Sequence, residues 1–425
     1  MIALSAAIRD GKYDGEFARL YGADQVDAQR ARYLAAVDGF VATFGGEGEL
    51  ALFSAPGRTE IGGNHTDHEN GRVIAGSVDM DIIAVVRRAE GHIRVQSQGY
   101  PMDDVALDSL TPMAEEINSS AALIRGTAAG LAADGYAIGG FEAYTVSNVL
   151  KGSGLSSSAA FEVLIGVILN HLYNDGAVSA VKIAQVAQYA ENVFFGKPSG
   201  LMDQMASSVG NVITIDFANP AEPIIEQLEC DITAQGYALC IVDVGGDHAD
   251  LTHEYAAVPA EMKAIAAALG GEVLRDTDEA AFMASLPALR QAHGDRAVLR
   301  ALHFYGENAR VVEQVSALRA GDMPRFFSLV LASGQSSLAY LQNVFASSLP
   351  HQQGMTLALA LAQQVLDGCG VWRVHGGGFG GTTQNYVPLY KLDEFKTAMQ
   401  RVFGDDSCHV LRIRPCGGVM LRPQE

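Results

Sequence analysis

A segment rich in glycine and serine near residue 150 has the composition of a phosphate-binding turn. It reads Gly152-Ser153-Gly154-Leu155-Ser156-Ser157-Ser158-Ala159-Ala160. Residues 144–150 before it have the pattern of a strand, and apolar side chains follow it at helical spacing. Such a turn offers unpaired backbone N–H groups at the positive end of the helix dipole, where phosphate binds. Taken alone, the segment is equally compatible with a loop that only caps a helix.

A second segment concentrates polar side chains over residues 55–68. It reads Ala55-Pro56-Gly57-Arg58-Thr59-Glu60-Ile61-Gly62-Gly63-Asn64-His65-Thr66-Asp67-His68. In a glycine-bounded loop after a strand, these groups could converge on the hydroxyls of a small polar ligand. The alternative is a solvated loop in which Asp67 caps a helix, but the density of groups able to form paired hydrogen bonds favours a ligand site. The spacing of His65, Asp67 and His68 fits neither helix nor strand periodicity, which argues against a three-ligand metal centre.

Two carboxylates flank a third informative segment. Glu191 closes a helix predicted over residues 181–195, and Asp203 opens the next helix beyond the turn at residues 196–200. Carboxylates placed in this way can divide their work, so that one holds Mg²⁺ and the other accepts a proton from a substrate. The alternative is that Asp203 only caps its helix while Glu191 is solvated.

The bulk composition limits the class of protein and its partners. A chain of 425 residues exceeds one hydrophobic core, so we expect two joined lobes. Hydrophobic residues make up 48% and charged residues 18% of the chain, as in folded globular proteins. The formal net charge of −20 argues against general binding to nucleic acid or to anionic membranes. A phosphate site remains compatible with it, because such a site needs only a local positive potential.

Several features together predict a cytoplasmic protein. No run of about 18 apolar residues could form a transmembrane helix, and residues 1–10 lack the basic and apolar regions of an export signal. The five cysteines are odd in number and contain no C-x-x-C pair, which argues against a disulfide framework and against a zinc site.

The predicted elements indicate an α+β fold of two lobes. In the first part we predict helices at 27–44 and 121–133 and strands at 50–54, 73–78, 82–87 and 93–97. Further along we predict strands at 212–217 and 238–244 and helices at 256–269, 300–319, 323–340, 355–366 and 392–403. We expect an N-terminal arm (1–26), a lobe over 27–210 that carries the polar segments, and a lobe over 211–425 that carries a second glycine-rich loop at 376–381. The active site is expected in the cleft between the lobes.

In their order along the chain, these segments resemble the GHMP small-molecule kinases and, among them, the galactokinases. The resemblance covers roughly residues 40–425. Residues 57–67 are similar to the galactokinase sugar loop, 152–160 to the GHMP phosphate loop, and 190–204 to the segment with the magnesium carboxylate and the catalytic aspartate. Further similarities are His248 with Glu254-Tyr255, His303 with Glu307-Asn308 and Arg310, and Gly376–Gly381, the third GHMP motif, which lies against the phosphate loop. The resemblance implies a two-lobed GHMP-kinase-type fold.

The resemblance also implies roles for individual residues. The sugar pocket would be formed by Arg58, Asn64, His65, Asp67, Gly200, Asp203 and Tyr255. The ATP phosphates would be bound by Gly152, Ser153, Gly154, Leu155, Ser156, Ser157, Ser158 and Ala159, with Mg²⁺ on Ser158 and Glu191. Asp203 would face the anomeric hydroxyl as the base, and Arg58 would keep it ionised. No Walker lysine is needed, since helix dipole, backbone amides and metal carry the phosphate charge. Residues between Gln96 and Leu123 are expected to form the adenine pocket.

The chain departs from the usual galactokinase loop at three positions. Glu60, Asn64 and His68 stand where Asn, Glu and Tyr are usual, and Ser199 replaces a common cysteine. The residue at 64 is expected to contact the sugar's C6 hydroxyl. An amide can still bond that hydroxyl, but the loss of a carboxylate there also removes repulsion toward a C6 carboxylate.

The resemblance therefore implies an ATP-dependent sugar 1-kinase, with galactose as the first candidate substrate. A 1-kinase for galacturonate or N-acetylgalactosamine is the alternative that the change at Asn64 keeps open. A non-catalytic sensor of sugar and ATP is disfavoured by the retained Ser158, Glu191 and Asp203. A mevalonate- or homoserine-type kinase is disfavoured by the sugar loop. The sequence does not indicate an oligomeric state.

Overall fold

The computed structural model describes residues 2–149, 154–245, 251–379 and 381–424. Within these ranges the helices are α1 (Ile2–Arg9), α2 (Asp14–Tyr21), α3 (Val26–Phe44), α4 (Ser120–Ala133), α5 (Ser157–Tyr173), α6 (Ala180–Tyr189), α7 (Met202–Val209), α8 (Thr252–Ala268), α9 (Glu279–Ala320), α10 (Met323–Ser336), α11 (Gly354–Leu366) and α12 (Leu392–Phe403). The strands there are β1 (Ala51–Gly62), β2 (Arg72–Ala89), β3 (His92–Ser97), β4 (Met102–Ala106), β5 (Gly140–Ser147), β6 (Val212–Asp216), β7 (Ile224–Leu228), β8 (Tyr237–Asp243), β9 (Val371–His375), β10 (Thr382–Pro388), β11 (Cys408–Leu411) and β12 (Val419–Leu421). Gly152, Ser153 and His248 lie outside the described residues.

The larger sheet has eight strands and carries helices on both faces. Its order is β12-β1-β2-β5-β3-β4, with β6 paired to β2 and β7 paired to β6. Successive side chains of a strand point to opposite faces. Accordingly Leu52 belongs to the same apolar cluster as Phe40 of α3, whereas Phe53 belongs to the cluster of Leu164 of α5 on the other face. Strand β1 also contacts the turn before α5, where the backbone N–H of Arg58 donates to the Leu155 carbonyl at 3.0 Å.

The smaller sheet is antiparallel, with the order β11-β8-β10-β9. On one face Cys240 packs with Phe395 of α12. On the other face Ile241 belongs to the same apolar core as Phe53 and as Phe326 of α10. The two halves of the chain therefore share one core. In the described parts of the chain, no helix combines the length and apolar character needed to cross a membrane.

The structure differs from the predicted domain outline in two ways. Residues 2–25 are not an appended arm, because Phe17 and Tyr21 of α2 are buried against Tyr33 of α3. Residue 210 does not separate the sheets, because β6, β7 and β12 follow it and still join the larger sheet. Strand β12, near the C-terminus, pairs with β1, so the end of the chain packs with the first half.

The predicted elements agree well in kind and less well in length. The helix predicted at 392–403 is α12, and the helix predicted at 27–44 starts one residue earlier. The strands predicted at 73–78 and 82–87 are one strand, β2. The predicted loop at 55–68 is wrong in its first half, because β1 continues through Gly62 by pairing with β2 across two irregularities in register. Arg58 therefore lies on a strand.

A buried ionic cluster ties the N- and C-terminal segments to the larger sheet. Asp81 of β2 is fully buried and lies 2.6 Å from Arg32 Nη1 and 3.1 Å from Arg414 Nη1. Tyr21 Oη donates to the same carboxylate at 2.5 Å, and Ser54 Oγ also donates to it. Burial would raise the pKa of Asp81, but Arg32 and Arg414 lower it below its usual value. The cluster therefore depends on an ionised aspartate.

We expect Asp81→Asn to destabilise the protein by about 3–5 kcal/mol, because it leaves two arginines without their buried anion. The matched control is Asp27→Asn, which removes an exposed partner of Arg30 and should cost less than about 1 kcal/mol. Urea unfolding at pH 7 measures both. Because the folded pKa of Asp81 is lowered, its contribution is present above the unfolded pKa and is lost as the pH falls through the folded pKa. Equal unfolding midpoints for the two variants would contradict the assignment.

Candidate active site

The described part of the segment predicted to bind phosphate, residues 154–160, lies at the start of α5. Gly154 and Ser156 have φ angles of +68° and +56°, so the chain turns sharply before the helix begins at Ser157. The first backbone N–H groups of a helix have no acceptor within it, and the positive end of the helix dipole lies behind them. Ser158 and Ala159 belong to this first turn. The local geometry is that of an anion site.

Asp203 lies beside this turn and is held by Arg58. Arg58 Nε donates to Asp203 Oδ1 at 2.6 Å, and Ser156 Oγ donates to Oδ2. A second guanidinium nitrogen of Arg58 donates to the carbonyl of Gly154. Burial raises the pKa of Asp203, but the charge of Arg58 and the two hydrogen bonds outweigh it, and the pKa lies below its ordinary value. An ionised carboxylate therefore lies next to the turn before α5.

A second carboxylate contacts the first turn of α5. Ser158 Oγ donates to Glu191 Oε1 at 3.1 Å, and Gln204 Nε2 donates to Oε2 at 2.8 Å. Glu191 lies in the π-helical turn Ala190–Phe195, which follows α6 and aims this side chain toward Ser158. Lys197 Nζ lies 2.9 Å from Glu191 Oε1.

The residues predicted to hold magnesium fit that ion in donor chemistry. Across the described residues, no cluster of three or more His, Cys, Asp or Glu side chains could hold a metal. Ser158 and Glu191 supply two adjacent oxygen donors. Mg²⁺ is commonly held by one or two protein oxygens together with water and substrate phosphates, so a complete protein cage is not required.

Asp67 and Gly200 meet directly, as a shared pocket requires. Asp67 begins a short helical turn after β1. A Cβ added to Gly200 would lie 1.9 Å from Asp67 Oδ2, so the carboxylate occupies the space that a side chain at 200 would need. This contact brings Asp67 to a residue three positions before Asp203.

His65 and Tyr255 are both bound to the second glycine-rich loop. His65 Nε2 is 3.0 Å from the carbonyl oxygen of Gly377, and Tyr255 Oη donates to the carbonyl of Gly378 at 2.7 Å. Burial, helped by the neighbouring His68, lowers the pKa of His65 to about 3, so its ring is neutral at pH 7. Burial raises the pKa of Tyr255 to about 12. The two side chains come from distant segments and meet at one loop.

Asn64 has a different environment from the one expected of a sugar contact. It is fully buried, and its Nδ2 donates to Glu60 Oε1 at 3.0 Å and to the Gly376 carbonyl at 2.7 Å. Its Oδ1 accepts from Asn343 Nδ2 at 2.9 Å and from Ser337 Oγ at 3.1 Å. Both ends of the amide are thus used within the protein. The contact of Asn64 with a sugar hydroxyl stays a prediction, and the geometry favours a role in fixing the loop.

Glu60 supplies a carboxylate behind Asn64. Its Oε1 lies 2.6 Å from Arg373 Nη2, and both side chains are buried. Burial raises the pKa of Glu60, against the opposing charges of Arg373 and Arg58. The acid and the amide that exchange positions relative to the usual galactokinase loop are therefore in contact with each other.

Sequence reasoning missed three contributors to this site. Gln204 orients Glu191, Arg373 pairs with Glu60, and Lys197 contacts Glu191. Lys197 lies within the turn between Glu191 and Asp203, so its proximity to the two acids was a usable signal. Arg373 lies about 300 residues from its partner Glu60 in the chain, so no local sequence pattern could predict the pair.

Comparison with known proteins identifies the family of this chain. Residues 118–211 match the GHMP kinases N terminal domain, and residues 38–88 match the galactokinase galactose-binding signature. The chain is 32% identical over 366 residues to a galactokinase of Streptomyces coelicolor, covering 85% of this chain and 90% of that protein. It is also 32% identical to a galactokinase of Actinobacillus pleuropneumoniae serotype 3, covering 83% of this chain and 88% of that protein.

Solved structures show the same fold. The structure of Lactococcus lactis galactokinase complexed with galactose matches with a TM-score of 0.78 and 25% identity, over 91% of this chain and 99% of that chain. A mevalonate kinase of Methanococcus jannaschii matches with a TM-score of 0.60 at 14% identity, over 87% and 99% of the chains, which supports the fold alone. The fold is the α+β, two-lobed fold of the GHMP kinases, and the chain belongs to the galactokinase family.

Proposed function

We propose that this protein transfers the γ-phosphoryl group of ATP to the anomeric hydroxyl of galactose, giving galactose 1-phosphate and ADP. Family membership supports the reaction class. The observation that carries the proposal is the contact of Arg58 with both Asp203 and the phosphate turn. It joins a proton acceptor to an anion site, which a phosphoryl transfer to a hydroxyl requires.

In the proposed reaction Asp203 accepts the proton of the sugar hydroxyl. The hydroxyl oxygen bonds to the γ-phosphorus, the bond from that phosphorus to the β,γ-bridging oxygen breaks, and ADP leaves. Arg58 keeps the pKa of Asp203 low and fixes the orientation of its carboxylate. A carboxylate of low pKa is a weak base, so it accepts the proton only as the bond to phosphorus forms. Its contribution is mainly to position the hydroxyl and to supply negative charge.

The remaining roles follow from the contacts. The first turn of α5 binds phosphate through its backbone N–H groups. Ser158 and Glu191 would hold Mg²⁺, which when bound neutralises phosphate charge. The sugar side of the site would be lined by three side chains: Asp67, which contacts Gly200, and His65 and Tyr255.

Glu60 supports galactose over galacturonate as the substrate. The argument for galacturonate assumes that Asn64 removes negative charge from this place. Glu60 Oε1 lies only 3.0 Å from Asn64 Nδ2, so a carboxyl group is retained there, although Arg373 offsets its charge. A buried carboxyl group next to the loop does not favour a second carboxylate on the ligand.

We also propose a cytoplasmic location, because the five cysteines, all within the described residues, are free thiols. The lobe with the phosphate and sugar segments is proposed to comprise residues 27–210 together with the N-terminal helices and with strands β6, β7 and β12, which complete its sheet. The remainder, which carries the second glycine-rich loop, closes the site from the other side.

We expect Asp203→Asn to lower kcat by at least about 100-fold while ATP still binds, since the amide cannot take the proton. A coupled assay of ADP release measures turnover, and titration calorimetry measures ATP binding. The matched control is Asp216→Asn, which removes another aspartate paired with arginines, Arg72 and Arg275, and should keep nearly full activity. A near-normal kcat for Asp203→Asn would show that the base is assigned incorrectly.

A panel of monosaccharides decides the substrate. We expect ADP release with galactose and little with galacturonate, because Glu60 retains a carboxyl group near Asn64. The same coupled assay with galactose, galacturonate and N-acetylgalactosamine at equal concentration measures this. Turnover of galacturonate but not galactose would overturn the substrate proposal. ATP binding without turnover of any sugar would instead indicate a sensor.

A further inference from the structure

Lys197 places an ammonium group at the phosphate turn, where neither the sequence motifs nor the proposed mechanism assigns a lysine. Its Nζ lies 2.9 Å from Glu191 Oε1, and that oxygen also accepts from Ser158 Oγ at 3.1 Å. The backbone N–H of Lys197 donates to the Glu191 carbonyl at 3.1 Å, which fixes the start of the side chain. Its side chain is 58% exposed, so the ammonium remains accessible.

The acidic side chains around the turn outnumber the arginines there, so an additional cation is needed to bind a polyanion. Arg58 is already engaged by Asp203 and by the carbonyl of Gly154. Glu191 and Asp203 are two acids at a site that must accept a polyanion. Burial raises the pKa of Asp203, and Lys197 is, after Arg58, among the charges that lower it, so the ammonium acts on both acids. A nucleotide that enters adds several more negative charges.

We propose that Lys197 binds the polyphosphate of the nucleotide directly and is a further catalytic residue of this enzyme; this rests on the proposed function. The lysine stem is flexible and its ammonium has three donors, so it can leave Glu191 and bind a phosphate oxygen nearby. Such an ammonium stabilises the negative charge of the phosphates in the transition state.

The opposite role for Lys197 makes an opposite prediction. If the ammonium only neutralises Glu191, it competes with Mg²⁺ for that carboxylate. Removal of its charge would then strengthen the binding of magnesium-nucleotide. If it binds phosphate, the same removal weakens nucleotide binding, and it does so even without metal. The sign of the effect therefore separates the two roles.

The test compares Lys197→Met, which keeps the length of the stem, with Lys197→Arg and with Lys182→Met. Lys182 is the matched control, because its partly exposed side chain forms an ion pair at 3.0 Å with another acid, Asp134 at the end of α4. Calorimetry measures the Kd of ADP in EDTA, the Kd of ADP with Mg²⁺, and the Kd of adenosine. Thermal unfolding checks that all variants fold.

For Lys197→Met we expect ADP binding in EDTA to weaken about tenfold or more, as for the loss of a charged hydrogen bond. Adenosine binding should not change, Lys197→Arg should recover part of the loss, and Lys182→Met should bind like the wild type. An unchanged ADP Kd, a tighter Kd with Mg²⁺, or an equal loss for adenosine would each overturn the proposal. Galactose turnover by the wild type tests the proposed function separately, so either proposal can fail without the other.

Discussion

The site is organised around one arginine. The backbone N–H of Arg58 donates to the Leu155 carbonyl at 3.0 Å, and its side chain reaches Gly154 and Asp203. One residue of β1 thereby holds both the turn before α5 and the carboxylate that we propose as the base. Arg58 pairs with Ser77 of β2, so its backbone position is set by the larger sheet. The sheet thus helps to set where Asp203 lies relative to the turn before α5, because Arg58 contacts both.

The acids of the site differ because their surroundings differ. Arg58 brings the pKa of Asp203 below its usual value despite burial. Burial raises the pKa of Glu60, although Arg373 lies against it. Burial and the nearby Glu191 raise the pKa of Glu162 well above its usual value. The surroundings thus shift the pKa of Asp203 down and the pKa values of Glu60 and Glu162 up, a separation typical of active sites.

Local sequence patterns predicted many of the helices and strands. Contacts between residues far apart in the chain were predicted only where the family resemblance supplied them. The apolar face of residues 392–403 was sufficient to locate α12. The continuation of β1 as far as Gly62 was not predictable. Pairing with β2 keeps this stretch extended, although it is rich in glycine and polar residues, which favour a loop. The burial of Asn64 was hidden for a similar reason: Ser337 and Asn343 are more than 270 residues away.

The exchange of Glu60 and Asn64 shows why a single position is a poor guide to specificity. Read at position 64 alone, the change removes a carboxylate and admits an acidic sugar. In three dimensions the two side chains form one hydrogen-bonded unit that Arg373 completes. A carboxyl group and an amide are still present, with their order along the chain reversed. The fold therefore requires one carboxylate and one amide here, because Arg373 needs an anion and the carbonyl of Gly376 needs a hydrogen-bond donor.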